Sequence, residues 1–404
     1  MRPMFSVAAK WLRRFIAYRA NRYDRVRTPR FIGVLALLIA TMSHSASAAD
    51  SGQALRTQNV ILVVLDGLRW QEVFFGGDPL LMNKEQGVVD VEALKRDFGQ
   101  STQEGRREAL MPFFWKTIQQ KGQLFGNQDK ECVVQVLNGL NFSYPGYNEI
   151  LTGIADPAIR SNDKIPNPNV TVWEWLNKKP AFHGQVAAFG TWDAFPAIFN
   201  RDRSQMPIFG GFEPVHQGAP GPRQELLDSL IATAPRLWSD CTFDAFYNQA
   251  VLEYLRLEHP RVLFVGFGET DEWAHSGRYD MLLRSIHSVD AYIQGIWDMV
   301  QVSPWYRDRT TILVTADHGR GRGLTEWRNH GEKVAGSEFT WLAAMGPDTP
   351  ALGERSNTQT VNASQFAATI STLLGQDYRK DYPAAGEPIK ALIHPERLMP
   401  RAPL

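Results

Sequence analysis

The chain has 404 residues with 43 Lys/Arg and 43 Asp/Glu, and its two cysteines, Cys132 and Cys241, stand in no C-x-x-C pattern. That spacing excludes a cysteine-built zinc site and allows at most one disulfide. Without residues 1–48, which hold nine basic residues and one acid, 34 basic and 42 acidic side chains remain, and a balance of about −8 argues against a nucleic-acid-binding surface.

Residues 1–48 read as a targeting segment. The first 30 are basic, 31–42 are apolar, and Ala46-Ser47-Ala48 is an A-x-A cleavage signature. The apolar run is shorter than the roughly 17–25 residues of a spanning helix. The reading is a cleaved secretory signal and a secreted or periplasmic protein, with an uncleaved N-terminal anchor as the only route to a membrane. No repeat or linker divides residues 49–404, so they are expected to form one large domain.

Residues 60–65 are continuous, β-branched and apolar, which predicts a fully buried strand. A helix is expected over 111–120, a strand over 133–137, and a helix from about 147 after a turn at 143–146. A further helix is expected over 170–177 and a strand over 185–189. Residues 191–223 are rich in Gly, Pro and aromatics and have no period, so they read as a loop or cap inserted over a site. Helical spacing returns at 225–232 and 243–257, and 262–267 is a strand. Residues 279–302 form a long amphipathic helix with Leu282, Ile286, Val289, Ile293, Ile296 and Val300 on its apolar face. Strands follow at 311–315 and 338–344, then a helix over 364–374 stopped by Gly375. Strands alternating with helices predict an α/β fold, a mostly parallel doubly wound sheet with helices on both faces.

Three of these strands run into metal-type ligands. Residues 60–65 end at Asp66, 262–267 lead to Asp271 and His275, and 311–315 lead to Asp317 and His318, with His330 twelve residues on. Carboxylates and imidazoles bind zinc or manganese, and open α/β sheets site their chemistry beyond the carboxyl ends of the strands. Each residue alone has a plainer reading: Asp66 a loop cap, Asp271 a surface acid, His275 a satisfied core histidine. The recurrence at every strand end favours a shared site, and six ligands suit two ions.

A nucleophile candidate is Ser143, in Ser143-Tyr144-Pro145-Gly146, near the start of a helix where anions bind. No histidine is close by in sequence to act as its base, which favours activation by metal. Asn162 could donate to a phosphoryl oxygen. Arg201 and Arg203 could clamp anionic oxygens, though a solvated loop is the commoner fate of such a pair. Trp192, Asp193 and Trp273 could line the cleft.

The set resembles the alkaline phosphatase superfamily of two-metal hydrolases, nearest to its type I phosphodiesterase and nucleotide pyrophosphatase branch. The likeness runs from about Asn59 to Gly375. It is carried by Val63-Val64-Leu65-Asp66-Gly67, Asp271-x-x-x-His275-x-Gly277, Thr315-Ala316-Asp317-His318-Gly319, Asn329-His330-Gly331 and Ser143-Tyr144-Pro145. The resemblance implies one metal on Asp271, His275 and His330, and another on Asp66, Asp317, His318 and the Ser143 oxygen, zinc before manganese. It also matches Asn162 to a phosphate-binding asparagine, and Arg201-Asp202-Arg203 to a Lys-Asp-Arg element of some phosphomonoesterases.

There are departures. The phosphodiesterase branch has Thr-Phe-Pro-Asn where this chain has Ser143-Tyr144-Pro145-Gly146, and Gly where Ala274 stands. Sulfatases need Arg four residues after the nucleophile, where Tyr147 stands, and phosphoethanolamine transferases need spanning helices. The resemblance therefore implies a secreted hydrolase of small-molecule phosphoric esters that works through a phosphoseryl intermediate, monoester or diester left open. A phosphomutase-like transferase and a non-catalytic binding protein on the same scaffold are the alternatives.

Overall fold

The computed structural model describes residues 54–398. The expected targeting segment, residues 1–48, lies outside the described residues, and among these no helix is long and apolar enough to cross a membrane.

The strands, in chain order, are β1 (Asn59–Leu65), β2 (Gln123–Phe125), β3 (Val134–Gln135), β4 (Val186–Gly190), β5 (Ile208–Gly210), β6 (Val262–Phe267), β7 (Thr310–Thr315), β8 (Phe339–Thr340), β9 (Leu342–Met345), β10 (Gly353–Glu354) and β11 (Val361–Asn362). Eight of them form one sheet in the order β10-β2-β9-β7-β1-β6-β4-β5, and β11, β3 and β8 form a small second sheet. In the large sheet β7, β1, β6, β4 and β5 are mutually parallel, and only β9 runs against the rest. The mostly parallel doubly wound sheet expected from the sequence is thus present.

The strand composition follows from burial on both faces. Ile61, Val63 and Leu65 pack into the hydrophobic cluster on one side, with Leu263, Val265, Ile312 and Val314. Val60, Leu62 and Val64 pack into the cluster on the other, with Val262, Phe264 and Leu313. Alternate side chains of a strand point to opposite faces, so a strand covered on both sides must be apolar throughout. The Tyr279–Val302 helix covers the first face and the Ser143–Thr152 and Phe366–Leu373 helices the second.

Three expectations need correction. The helix expected from about 147 begins instead at Ser143. Proline is tolerated in a first helical turn because its missing N–H would be unpaired there anyway, so Pro145 and Gly146 do not break the helix. Residues 191–223 are not merely a loop: they contain the short Phe195–Ile198 and Arg201–Ser204 helices and β5, which extends the sheet by pairing parallel to β4. The 111–120 helix carries a π-helical stretch at Phe114–Ile118. Cys132 and Cys241 are both free and buried. Cys132 accepts from the Gly126 amide, whereas Cys241 lies against Thr191.

Candidate metal centre

The register of the three central strands assembles the site. Val64 is level with Gly266 on β6 and with Thr315 on β7. Asp66 and Asp317 each follow two residues later, so they emerge side by side at the same edge of the sheet. Gly67 takes φ +58 there, and its amide donates to Asp317 Oδ1 at 3.0 Å. A Cβ on Gly67 would lie 2.5 Å from Asp271 Oδ1, which is why this turn needs glycine. From β6 the chain enters the Glu269–His275 helix, whose one-turn spacing sets Asp271 and His275 on one face.

All six expected ligands converge. His318 Nε2 lies 3.3 Å from Asp66 Oδ1, 3.6 Å from Asp317 Oδ2 and 3.8 Å from Asp271 Oδ1. His275 Nε2 is 3.2 Å from Asp271 Oδ2 and 2.9 Å from His330 Nε2. Two overlapping sets bring one ligand atom from each residue within 4.8 Å of the others: Asp66, Asp317 and His318, and Asp271, His318 and His330, with His275 just outside the second. His318 stands between them, its ring stacked on His330 with centroids 4.0 Å apart.

The imidazoles are oriented from behind. His318 Nδ1 is 2.9 Å from the Gly319 carbonyl and His330 Nδ1 is 3.0 Å from the Asn141 carbonyl. A carbonyl only accepts, so each Nδ1 carries the proton and each Nε2 presents a lone pair to the cluster. Asn141 delivers its carbonyl from a left-handed backbone, φ +54.

The electrostatics are those of a site built around positive charge. Burial, then Asp271, pushes Asp66 up to about 7. Burial and Asp66 hold Asp317 well above the carboxylate range. Burial alone would raise Asp271, but the Arg320 guanidinium and the His275 hydrogen bond hold it well below its usual value. Burial pushes His318 down to about 4, and burial with His318 pushes His330 down to about 3, so both rings are neutral. Asp317 Oδ2 is buried without a hydrogen-bond partner. Three crowded carboxylates, an orphaned oxygen and inward lone pairs are what a cation resolves; these residues fit divalent metal ions.

Ser143 opens its helix at the edge of this cluster, its Oγ 3.3 Å from Asp66 Oδ1 and 3.4 Å from His318 Nε2. One turn later, Tyr147 donates to Asp66 Oδ2 at 3.1 Å. Asn162 accepts the Tyr144 amide on Oδ1 at 3.0 Å, capping the same turn. Gly146 explains the departure at that position: a Cβ there would lie 2.2 Å from the Asp317 carbonyl oxygen, so only glycine lets the helix approach the Asp317 backbone.

The two arginines are engaged elsewhere. Arg201 pairs with Glu213 and donates to the Ile208 carbonyl. Arg203 pairs with the buried Glu174 and donates to the Pro168 and Asn169 carbonyls. Sequence reading missed Arg320, Thr270 and the structural part of Tyr147. Thr270 donates to the Asp66 carbonyl at 2.6 Å. Tyr147 is four residues from Ser143, a same-face spacing that becomes visible once the helix starts at Ser143. Arg320 follows His318 by two residues, and nothing in its sequence surroundings marks it.

No family model matches the chain, and no curated protein does. Solved structures do resemble it. The alkaline phosphatase PafA superposes with a TM-score of 0.53 at 10% identity, over 85% of this chain and 99% of that one. Murine ectonucleotide pyrophosphatase/phosphodiesterase 5, in an inactive form with AMP, gives 0.51 at 13% identity, over 83% and 100%. The lipoteichoic acid synthase LtaP from Listeria monocytogenes gives 0.50 at 9% identity, over 82% and 74%. At such identities the likeness is one of fold alone: this chain shares the α/β fold of the alkaline phosphatase PafA and of the murine phosphodiesterase.

Proposed function

We propose that the protein is a metal-dependent phosphoric ester hydrolase with Ser143 as its nucleophile. The observation that carries this reading is the Ser143 hydroxyl at a helix N-terminus, 3.3 Å from Asp66 and 3.4 Å from His318, beside a cluster of three carboxylates and two imidazoles. Asp66, Asp317 and His318 would hold one divalent ion and Asp271, His275 and His330 another, with zinc favoured over manganese by the mixed ligands. Such ions, when bound, neutralise the carboxylates and stabilise charge developing on phosphoryl oxygens.

The chain's own groups do the rest. Ser143 Oγ, its proton directed at Asp66 Oδ1, attacks phosphorus in line with the departing alkoxide, and a phosphoseryl ester forms. Water then hydrolyses that ester and frees the serine. Asn162 has its Oδ1 occupied by the Tyr144 amide, so Nδ2 is the atom that would donate to a non-bridging oxygen. With Arg201 and Arg203 committed to Glu213 and Glu174, no arginine from that loop offsets a second negative charge. A monoanionic diester therefore suits this site better than a dianionic monoester. The sequence signal of residues 1–48 supports a secreted or periplasmic enzyme.

The test is turnover of bis-p-nitrophenyl phosphate and p-nitrophenyl phosphate by the purified protein with zinc, with manganese and with EDTA. Chelator-sensitive turnover of the diester, lost in Ser143→Ala, is expected. Bound metal without turnover of either ester would favour a binding protein on this scaffold, and a protein that binds no metal would overturn the site.

A further inference from the structure

We propose that Arg320 is the positioning residue of this centre: one buried guanidinium ties together the separate chain segments that carry the ligands. The inference rests on the metal-site reading above and adds the device that holds it in register.

Arg320 is 1% exposed. Its Nε donates to the Gly67 carbonyl at 3.2 Å, Nη2 to the Asp271 carbonyl at 3.2 Å, and Nη1 to the Arg328 carbonyl at 2.6 Å. Nη2 also pairs with Asp271 Oδ1. Each acceptor belongs to a ligand segment. Gly67 follows Asp66, Asp271 is itself a ligand, and Arg328 lies two residues before His330. Arg320 stands two residues after His318. Three segments remote in sequence, around Gly67, around Asp271 and from His318 to His330, thus meet on one planar group.

The chemistry requires arginine. A guanidinium offers five N–H donors in a rigid plane and stays charged at all working pH values, whereas a lysine is a point charge on a flexible stem. With Oδ1 of Asp271 held by Arg320, Oδ2 is the oxygen that meets His275, 3.2 Å away. The carboxylate is thereby fixed in rotation before any ion arrives. A Cβ on Gly67 would lie 3.0 Å from Arg320 Nε, so the glycine also keeps the place of the guanidinium.

The experiment compares the full-length protein with Arg320→Gln and Arg320→Lys. Zinc affinity is measured by competition with a chromogenic chelator, and stability by thermal unfolding in EDTA. Arg397→Gln, which breaks a buried pair with Asp348, is the control for loss of stability alone. Residues behind metal ligands typically contribute about 10–100-fold in affinity. Both Arg320 variants are expected to lose affinity in that range, while Arg397→Gln loses stability and keeps zinc. A third variant, Arg320→Ala, leaves room for free guanidinium, and millimolar guanidinium is expected to restore its affinity.

Unchanged zinc affinity in either folded Arg320 variant would overturn the role. So would equal losses in Arg320→Lys and Arg397→Gln, which would mark a purely structural ion pair. A wild-type protein without zinc affinity fails differently, since it removes the metal site on which Proposed function rests. Wild-type binding with unaltered variants removes only the role of Arg320.

Discussion

Replacing Asp66 by asparagine should stabilise the metal-free protein above neutral pH while weakening its hold on metal. The Asp66 carboxyl is buried beside Asp271 and is raised from 3.8 to about 7. The folded chain therefore binds a proton that the unfolded chain releases between those values. Stability from this group is present below about pH 4 and is lost as pH rises through about 7. Three units at about 1.4 kcal/mol each amount to roughly 4 kcal/mol of strain once the group is ionised. The asparagine sets an amide donor against a donor, Ser143 or Tyr147, which costs about 1 kcal/mol. The net gain at pH 8 is about 3 kcal/mol, or roughly 4 °C for a chain of this size. Thermal unfolding in EDTA at pH 5, 6, 7 and 8 reads it directly. The two proteins should diverge as pH rises, and added zinc should reverse their order. A variant no more stable than wild type at pH 8 in EDTA would refute the account of Asp66 as a carboxylate held in strain for a cation.

Ser143→Ala should lower phosphoester turnover by at least about a thousandfold with zinc content unchanged by elemental analysis; substantial residual turnover would assign the nucleophile elsewhere. His318 and His330 are neutral when folded, lowered to about 4 and about 3, so their contribution is full above pH 6.5 and is lost as pH falls through 4. In EDTA, His318→Gln should therefore gain on wild type steadily from pH 6.5 to pH 4 in denaturant titrations. Gly146→Ala forces a Cβ to within 2.2 Å of the Asp317 carbonyl and should cost about 1–3 kcal/mol, with a fall in kcat as Ser143 is displaced. Arg203→Met strips a buried Glu174 of its main partner and should cost about 3 kcal/mol without changing KM; a raised KM with unchanged stability would return Arg203 to the substrate.

Much of this site was legible because its ligands follow apolar strands. A strand buried on both faces must be apolar from end to end, so the acids and histidines in the few residues after it mark the sheet edge. That logic located Asp66, Asp271, Asp317 and His318, and spacing along the helix and loop added His275 and His330. The helix start was misread because Pro145-Gly146 is a turn signal in isolation. Only the tertiary structure shows that Gly146 is there for closeness to the Asp317 backbone.

What the sequence determined by itself was the period of each element and the chemical type of each ligand, since these depend on neighbours a few residues away. What the tertiary structure decided was which distant residues share charge and hydrogen bonds. The Arg201 and Arg203 side chains look available in sequence, yet Glu213 and Glu174 hold them. Arg320 looks like a loop residue, yet it is buried against three ligand segments. Long side chains reach partners set by the fold, whereas backbone periodicity is set by the chain, and that difference separates what could be read from what had to be seen.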